Sequence, residues 1–167
     1  MLIIFGGLPG TGKTAIAKEL ARQIGAVYLR IDTIEQAVRD SGAFKQELND
    51  AGYRVAYSLA EDNLCLGRTV VADCVNPLAL TRNAWIEVAN RARVGAVEVE
   101  ITCSDANEHR RRVEARVSES PGLRPLTWAE VVAREYQGWD REHLSIDTAG
   151  RTVEQSVDMI RESLQGR

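Results

Sequence analysis

Short apolar runs recur along the chain, each followed by a longer stretch whose apolar residues return every three or four positions. Leu2–Phe5, Ala26–Ile31, Thr69–Ala72, Val97–Thr102 and Leu144–Ile146 read as strands. Leu2–Phe5 is apolar throughout, the pattern of a strand buried on both faces of a parallel sheet. Amphipathic spacing predicts helices over Thr14–Ile24, Thr33–Asp40, Asn49–Leu66, Leu78–Arg93, Asp105–Val117, Thr127–Gln137 and Val153–Leu164. Two of them open on capping boxes, Thr127-Trp128-Ala129-Glu130 and Thr152-Val153-Glu154-Gln155. This β-α alternation predicts a single α/β domain over residues 1–167, a parallel sheet of about five strands with helices on both faces and right-handed crossovers. Residues 118–126 interrupt the pattern with Pro121, Gly122 and Pro125 and are expected to form a short flap between two helices.

The first strand and helix are joined by a glycine-rich loop of a specific kind. Gly7 to Thr14, GLPGTGKT, fits G-x-x-x-x-G-K-[ST] at every specified position. Gly7, Gly10 and Gly12 permit backbone angles closed to other residues and let N–H groups approach phosphate oxygens. A helix beginning near Gly12 adds unpaired N–H donors and the positive end of its dipole. Lys13 is placed to reach the β- and γ-phosphates of a nucleotide, and the Thr14 hydroxyl to ligate Mg²⁺. The nucleotide-binding stretch is therefore Gly7, Leu8, Pro9, Gly10, Thr11, Gly12, Lys13, Thr14 and Ala15, and the fold expected is that of a three-layer P-loop NTPase.

Composition narrows the picture further. With 44% hydrophobic and 27% charged residues the chain is typical of globular proteins, and a net charge of −3 disfavours a bulk nucleic-acid binder. Cys65, Cys74 and Cys103 have no metal-ligand spacing and suit a reducing compartment. Without a signal peptide or an apolar run of membrane-spanning length, a cytoplasmic location and no membrane partner are expected.

Ligands of such sheets bind at the carboxyl ends of the strands, where Asp32, Asp73 and Asp147 fall. Asp147-Thr148-Ala149-Gly150 imitates the D-x-x-G switch of GTPases, but no N-K-x-D element occurs; the reading preferred is a last strand turning into the last helix, with Ala149 and Gly150 against a nucleotide base. A motor ATPase is disfavoured because Cys74, not a glutamate, follows Asp73. Asp73 reads either as a Mg²⁺-side carboxylate or as a strand-end turn residue. Asp32 reads either as the carboxylate that accepts or orients an acceptor hydroxyl, or as the N-cap of the following helix. Arg110, Arg111, Arg112 and Arg116 precede the flap and Arg124 lies within it; Arg112 and Arg116 share a face, and the run reads either as an exposed charged helix, preferred for Arg110 and Arg111, or as charge for a transferring phosphoryl group, preferred for Arg116.

These marks resemble the small P-loop kinases of the nucleoside-monophosphate-kinase-like group over essentially the whole chain. Within it they are most similar to the chloramphenicol phosphotransferase-like, zeta-toxin-like and polynucleotide-kinase-like proteins. The matching residues are GGLPGTGKT, Asp32, VVADCVNPLALTRNAW, RRRVEAR and DTAGRTVEQSV. The resemblance implies that Lys13 and Thr14 hold phosphates and Mg²⁺, that Asp32 is the acceptor-side carboxylate and that Asp73 assists the metal or substrate. It also implies Arg112 near the adenine, Arg116 near the transferring phosphate, and Thr148, Ala149 and Gly150 along the base pocket. Asn76 and Arg82 match the group's pattern too. Glu35 stands where such proteins often carry a basic residue, and an acid there repels a phosphorylated or carboxylate-bearing acceptor.

By the same resemblance, acceptor choice lies in residues 33–66, which hold Arg39, Phe44, Lys45, Tyr53, Arg54 and Tyr57. Tyr53 and Tyr57, four apart, read either as an aromatic wall for a ring-bearing molecule or as core. Trp85 and Trp139 are expected in the core, Trp128 at the flap hinge, and His109 and His143 at the surface. The function expected is ATP- and Mg²⁺-dependent phosphoryl transfer to a hydroxyl of a small molecule. One alternative is an RNA or DNA 5′-hydroxyl kinase with Arg39, Lys45 and Arg54 as a basic groove. Another is a nucleotide-binding regulatory or toxin-type protein, which a filled acceptor cavity would favour.

Overall fold

The computed structural model describes residues 1–42, 50–115 and 126–166. Strands β1 (Leu2–Gly6), β2 (Val27–Arg30), β3 (Val70–Asp73), β4 (Ala96–Thr102) and β5 (Leu144–Asp147) form one parallel sheet in the order β2-β3-β1-β4-β5. Its helices are α1 (Lys13–Ile24), α2 (Ile31–Asp40), α3 (Ala51–Cys65), α4 (Ala79–Ala92), α5 (Ala106–Glu114), α6 (Trp128–Val132) and α7 (Val153–Gln165). The three-layer α/β architecture is the one expected from the alternation.

β1 explains the layering. All five of its residues are buried. Ile3 and Phe5 point to one face, into a cluster with Ile16 and Leu20 of α1 and Val157 and Ile160 of α7. Leu2 and Ile4 point to the other, against Ala56, Ala60 and Leu64 of α3 and Trp85 and Val88 of α4. β1 lies between β3 and β4, and the chain leaves it toward β2 on one side and later crosses to β4 on the other. That reversal opens a crevice at its carboxyl end, where ligands of open α/β sheets bind.

Both capping boxes form: Thr127 and Glu130 bond reciprocally at α6, as do Thr152 and Gln155 at α7. The helix expected over Thr127–Gln137 is shorter. It ends at Val132, and the chain runs irregularly to β5. Tertiary partners account for this. Arg82, fully buried on α4, donates through Nη1 and Nη2 to the carbonyls of Gln137 and Gly138, each at 2.9 Å. Gln137 N–H donates to Pro77 O at 2.8 Å, and its side-chain oxygen accepts from Ala79 N–H at the start of α4 at 2.9 Å. Backbone groups engaged there are withdrawn from a helical ladder. Of the expected flap, 118–126, only Leu126 falls among the described residues. No helix of the described residues is long and apolar enough to cross a membrane.

Candidate functional site

The turn between β1 and α1 sits at the crevice. Gly7 has φ +138, and a Cβ there would collide with the carbonyl oxygen of Ile101 on β4. Gly12, with φ 92, occupies the N-cap of α1 without a capping side chain, so the first N–H groups of the helix are left for a ligand. Thr11 folds the loop by donating from Oγ1 to Leu8 O at 3.0 Å. β1 is fastened beside it: Gly7 N–H donates to Val75 O at 3.0 Å, and buried Asn76 donates from Nδ2 to Phe5 O at 2.8 Å.

The loop is also braced from α5, a support that sequence reasoning missed. His109, expected at the surface, is 6% exposed. Its Nε2 lies 2.8 Å from Pro9 O, and its ring meets that of Trp128 edge-on at 5.0 Å. Since a carbonyl only accepts, Nε2 carries a proton. His143 is likewise half-buried, stacked on Trp139 at 4.7 Å. Trp128 is thus a packing residue, Trp85 is fully buried, and Trp139 covers Gly6 of β1.

Arg112 donates to Thr148 through Oγ1 at 2.8 Å and O at 3.0 Å and pairs with Glu108. Thr148 Oγ1 lies 2.8 Å from Thr11 O, joining the turn after β5 to the phosphate loop. Gly150 N–H donates to Glu108 at 3.0 Å. Arg112 faces the cavity described next; Thr148, Ala149 and Gly150 stand beside it and do not line that cavity. Asp147 serves its own turn, accepting from Ser104 N–H at 2.9 Å, Ser104 Oγ at 2.5 Å and Ala149 N–H at 3.1 Å. The Ser104 hydroxyl, then its amide, hold the Asp147 carboxyl below the usual aspartate range.

A cavity of about 690 Å³ opens over the loop. Pro9, Gly10, Gly12, Lys13, Thr14 and Ala15 line it, as do Asp32 and Arg112, whereas Gly7, Leu8 and Thr11 do not. Asp73, the last residue of β3, is 2% exposed. Lys13 Nζ lies 3.6 Å from its Oδ1, Tyr28 Oη donates to its Oδ2 at 2.7 Å, and Arg30 Nε stands 4.0 Å from Oδ2. Burial, then the Asp73 charge, push the Tyr28 phenol upward, so it remains a donor. Asp73 is therefore a buried, three-partner carboxylate rather than a strand-end turn residue.

Asp32 lies not at the strand end but in the first turn of α2. The cap position belongs to Arg30, with no side-chain cap bond, so the N-cap reading of Asp32 is excluded. Its carboxylate is 59% exposed and pairs with Arg30 Nη2 at 3.3 Å. Tyr28, Arg30, Lys18 and Arg134 also line the cavity and were missed. The alternation in "YLRID" carried a signal, since Tyr28 and Arg30 share one face of β2 while Val27 and Leu29 pack on the other.

Tyr53 and Tyr57 are partly buried and pack against the core cluster on the α3 and α4 side of the sheet. Tyr53 Oη accepts from Asn76 N–H at 3.2 Å, and Tyr57 packs edge-on against Trp85 at 4.6 Å. Arg39 pairs with Glu35 at 3.1 Å and Arg54 with Asp50 at 3.8 Å, both on exposed helix surface where such pairs are weak. Arg110 pairs with Glu114 at the surface, as expected of a solvated helix face. Phe44, Lys45, Arg116 and Arg124 lie outside the described residues.

The donors fit Mg²⁺. Thr14 offers a hydroxyl at the cavity and Asp73 a carboxylate close behind Lys13. No group of three or more His, Cys, Asp or Glu side chains gathers among the described residues.

A family model described as an AAA domain matches residues 2–137. Uncharacterized proteins of Mycobacterium tuberculosis and Mycobacterium bovis are each 28% identical over 189 aligned positions, covering 98% of this chain but 35% of their own length. The chain thus spans little more than a third of those relatives. Among solved structures, a candidate kinase from Chloroflexus aurantiacus superimposes with a TM-score of 0.76 at 19% identity, over 99% of this chain and 96% of that one. The APS kinase of Mycobacterium tuberculosis in complex with AMPPNP and APS gives 0.69 at 18% identity over 98% and 96%. A gluconokinase from Sinorhizobium meliloti gives 0.63 at 14% identity over 98% and 94%. The fold is that of small P-loop kinase-like proteins.

Proposed function

This chain belongs to the AAA-domain family, and from that premise we propose that it is an ATP- and Mg²⁺-dependent phosphotransferase acting on a hydroxyl of a small molecule. One observation carries the reading: a single cavity holds the phosphate loop, with Lys13 and Thr14, together with an exposed carboxylate, Asp32. Lys13 binds the β- and γ-phosphates, the N–H groups at the start of α1 hold their oxygens, and Arg112 borders the nucleotide. Thr14 and Asp73 would hold Mg²⁺, which when bound supplies charge neutralisation at the phosphates. Asp32 orients the acceptor hydroxyl in line and accepts its proton. Arg116, by resemblance, completes the positive charge around the transferring group.

The open cavity beside Asp32 supports turnover over a purely regulatory role. Kinases among the structural neighbours agree with this.

The test is transfer of label from γ-labelled ATP and Mg²⁺ into a pooled extract of polar metabolites. Wild type is expected to produce a new labelled small molecule. Lys13→Ala should abolish it in a folded protein, and Asp32→Asn should reduce transfer at least about a hundredfold while leaving ATP affinity within a few-fold. Undiminished transfer by Lys13→Ala would refute the assignment, and parallel loss of ATP binding in Asp32→Asn would move Asp32 to the nucleotide side.

A further inference from the structure

Among the described lining residues of the cavity, five cations, Lys13, Lys18, Arg30, Arg112 and Arg134, face one carboxylate, Asp32. Three of the five are engaged by acids: Lys13 by Asp73, Arg30 by Asp32 and Asp73, and Arg112 by Glu108. The side chains of Lys18 and Arg134 have no hydrogen bond or ion pair among the described residues. The cavity therefore holds positive charge that its own walls do not neutralise, and a cleft of that kind draws anions.

Arg134 is the better placed of the two. Lys18 ends a flexible stem on the exposed side of α1. Arg134 is also exposed, but its backbone is fixed on both sides. Its N–H donates to Val131 O of α6 at 3.3 Å. Three residues later Gln137 N–H donates to Pro77 O at 2.8 Å, and buried Arg82 holds the carbonyls of Gln137 and Gly138. Sheet order shows which half of the cavity that anchorage serves. The phosphate loop leaves β1, with β4 and β5 on the side of Arg112 and Thr148, and β3 and β2 on the side of Asp32. Pro77 lies in the turn after β3, two residues beyond Val75, which also lines the cavity. The segment carrying Arg134 is thus tied to the Asp32 half. Glu35, the acid expected to repel anionic acceptors, pairs with Arg39, packs against Gly52 of α3 and does not line the cavity.

Resting on the phosphotransferase reading, we propose that Arg134 is a specificity-determining residue that binds an oxyanion of the acceptor, a carboxylate or a phosphate monoester. A planar guanidinium matches either group with two parallel N–H donors, and Arg134 gives up no protein partner to do so.

The experiment is calorimetric titration of inorganic phosphate into protein saturated with AMPPNP and Mg²⁺, which keeps the phosphate loop filled. Wild type should bind phosphate saturably. Arg134→Gln should weaken that binding at least about tenfold and Arg134→Lys less, with AMPPNP affinity within a few-fold of wild type in both. Arg110→Gln, which alters a surface arginine paired with Glu114 and outside the cavity, should leave phosphate binding unchanged. Competition by glycerate or by glycerol 3-phosphate tells a carboxylate-bearing acceptor from a phosphate-bearing one, and glycerol should not compete. Absence of saturable phosphate binding, wild-type affinity in Arg134→Gln, or equal competition by glycerol overturns the proposal. So does equal weakening in Arg110→Gln, which would mark a diffuse charge effect. An equal loss of AMPPNP affinity in Arg134→Gln would place Arg134 on the nucleotide and overturn it too. If Arg134→Gln does not fold, Arg134→Lys decides, and wild-type affinity there overturns it. Failure of AMPPNP to bind wild type overturns the phosphotransferase reading and this proposal together; intact AMPPNP binding without Arg134-dependent anion binding overturns this proposal alone.

Discussion

Replacing His109 tests whether the phosphate loop is held from beneath. Its Nε2–H meets the carbonyl of buried Pro9 at 2.8 Å, and a Cβ on Gly10 would collide with Val113 one turn further along α5. His109→Phe keeps a ring against Trp128 but leaves the Pro9 carbonyl without a donor, a loss of about 1–3 kcal/mol for a buried acceptor. His109→Ala also removes the ring pair, worth about 0.5–1.5 kcal/mol, and opens a void, so roughly 2–5 kcal/mol is expected in total. Because nucleotide binding requires the loop in its braced form, part of that loss returns as affinity, and about 1.4 kcal/mol is a tenfold weaker complex. Urea unfolding and calorimetric AMPPNP titration should therefore show His109→Phe destabilised and binding about tenfold more weakly, with His109→Gln between it and wild type. Wild-type stability and affinity in His109→Phe, with loss only in His109→Ala, would refute the brace and leave His109 a packing residue.

Arg82→Met should lose roughly 2–4 kcal/mol in urea unfolding, since the carbonyls of Gln137 and Gly138 lose charged donors; a loss under about 1 kcal/mol would mean that the segment before β5 is held by other contacts. Asp147 has its carboxyl lowered in the folded state by Ser104, so its stabilisation is present above the unfolded value, about pH 4, and disappears as pH falls through the folded value. The stability gap between wild type and Asp147→Asn should accordingly narrow in acid-range urea titrations, and a gap constant down to pH 2.5 contradicts the linkage.

The sheet was legible because its strands are apolar on both faces and its helices carry one apolar stripe, so period and sidedness agree for β1, α1 and α7. Thr127 and Thr152 were legible as caps because a capping box is a local device. What escaped notice depends on partners far along the chain. The loss of helix after Val132 follows from Arg82, fifty-odd positions earlier, and the burial of His109 follows from Pro9. Tyr53 and Tyr57 illustrate the same limit: their spacing placed them on one face but could not show Trp85 and Asn76 as their neighbours. Lys13, Thr14 and Asp32 were readable as cavity residues, whereas Arg30 looked like an ordinary strand residue until Asp32 and Asp73 stood on either side of it.

On the proposed phosphotransferase reading, the pairing of Lys13 with Asp73 would couple nucleotide binding to the divalent cation. At 3.6 Å, with an effective dielectric of about 20, their gross attraction is about 4–5 kcal/mol, and Asp73 is 2% exposed. A phosphate that draws Lys13 away leaves this buried carboxylate with Tyr28 and Arg30, and burying charge without enough compensation is unfavourable. A cation held by Asp73 would restore the balance. ADP should therefore bind wild type at least about tenfold more weakly in EDTA than in Mg²⁺, and Asp73→Asn, which has no charge to strand, should shrink that ratio. An identical ratio in the two proteins, measured by calorimetry, would place the cation on the phosphates alone and remove Asp73 from the metal side of the site.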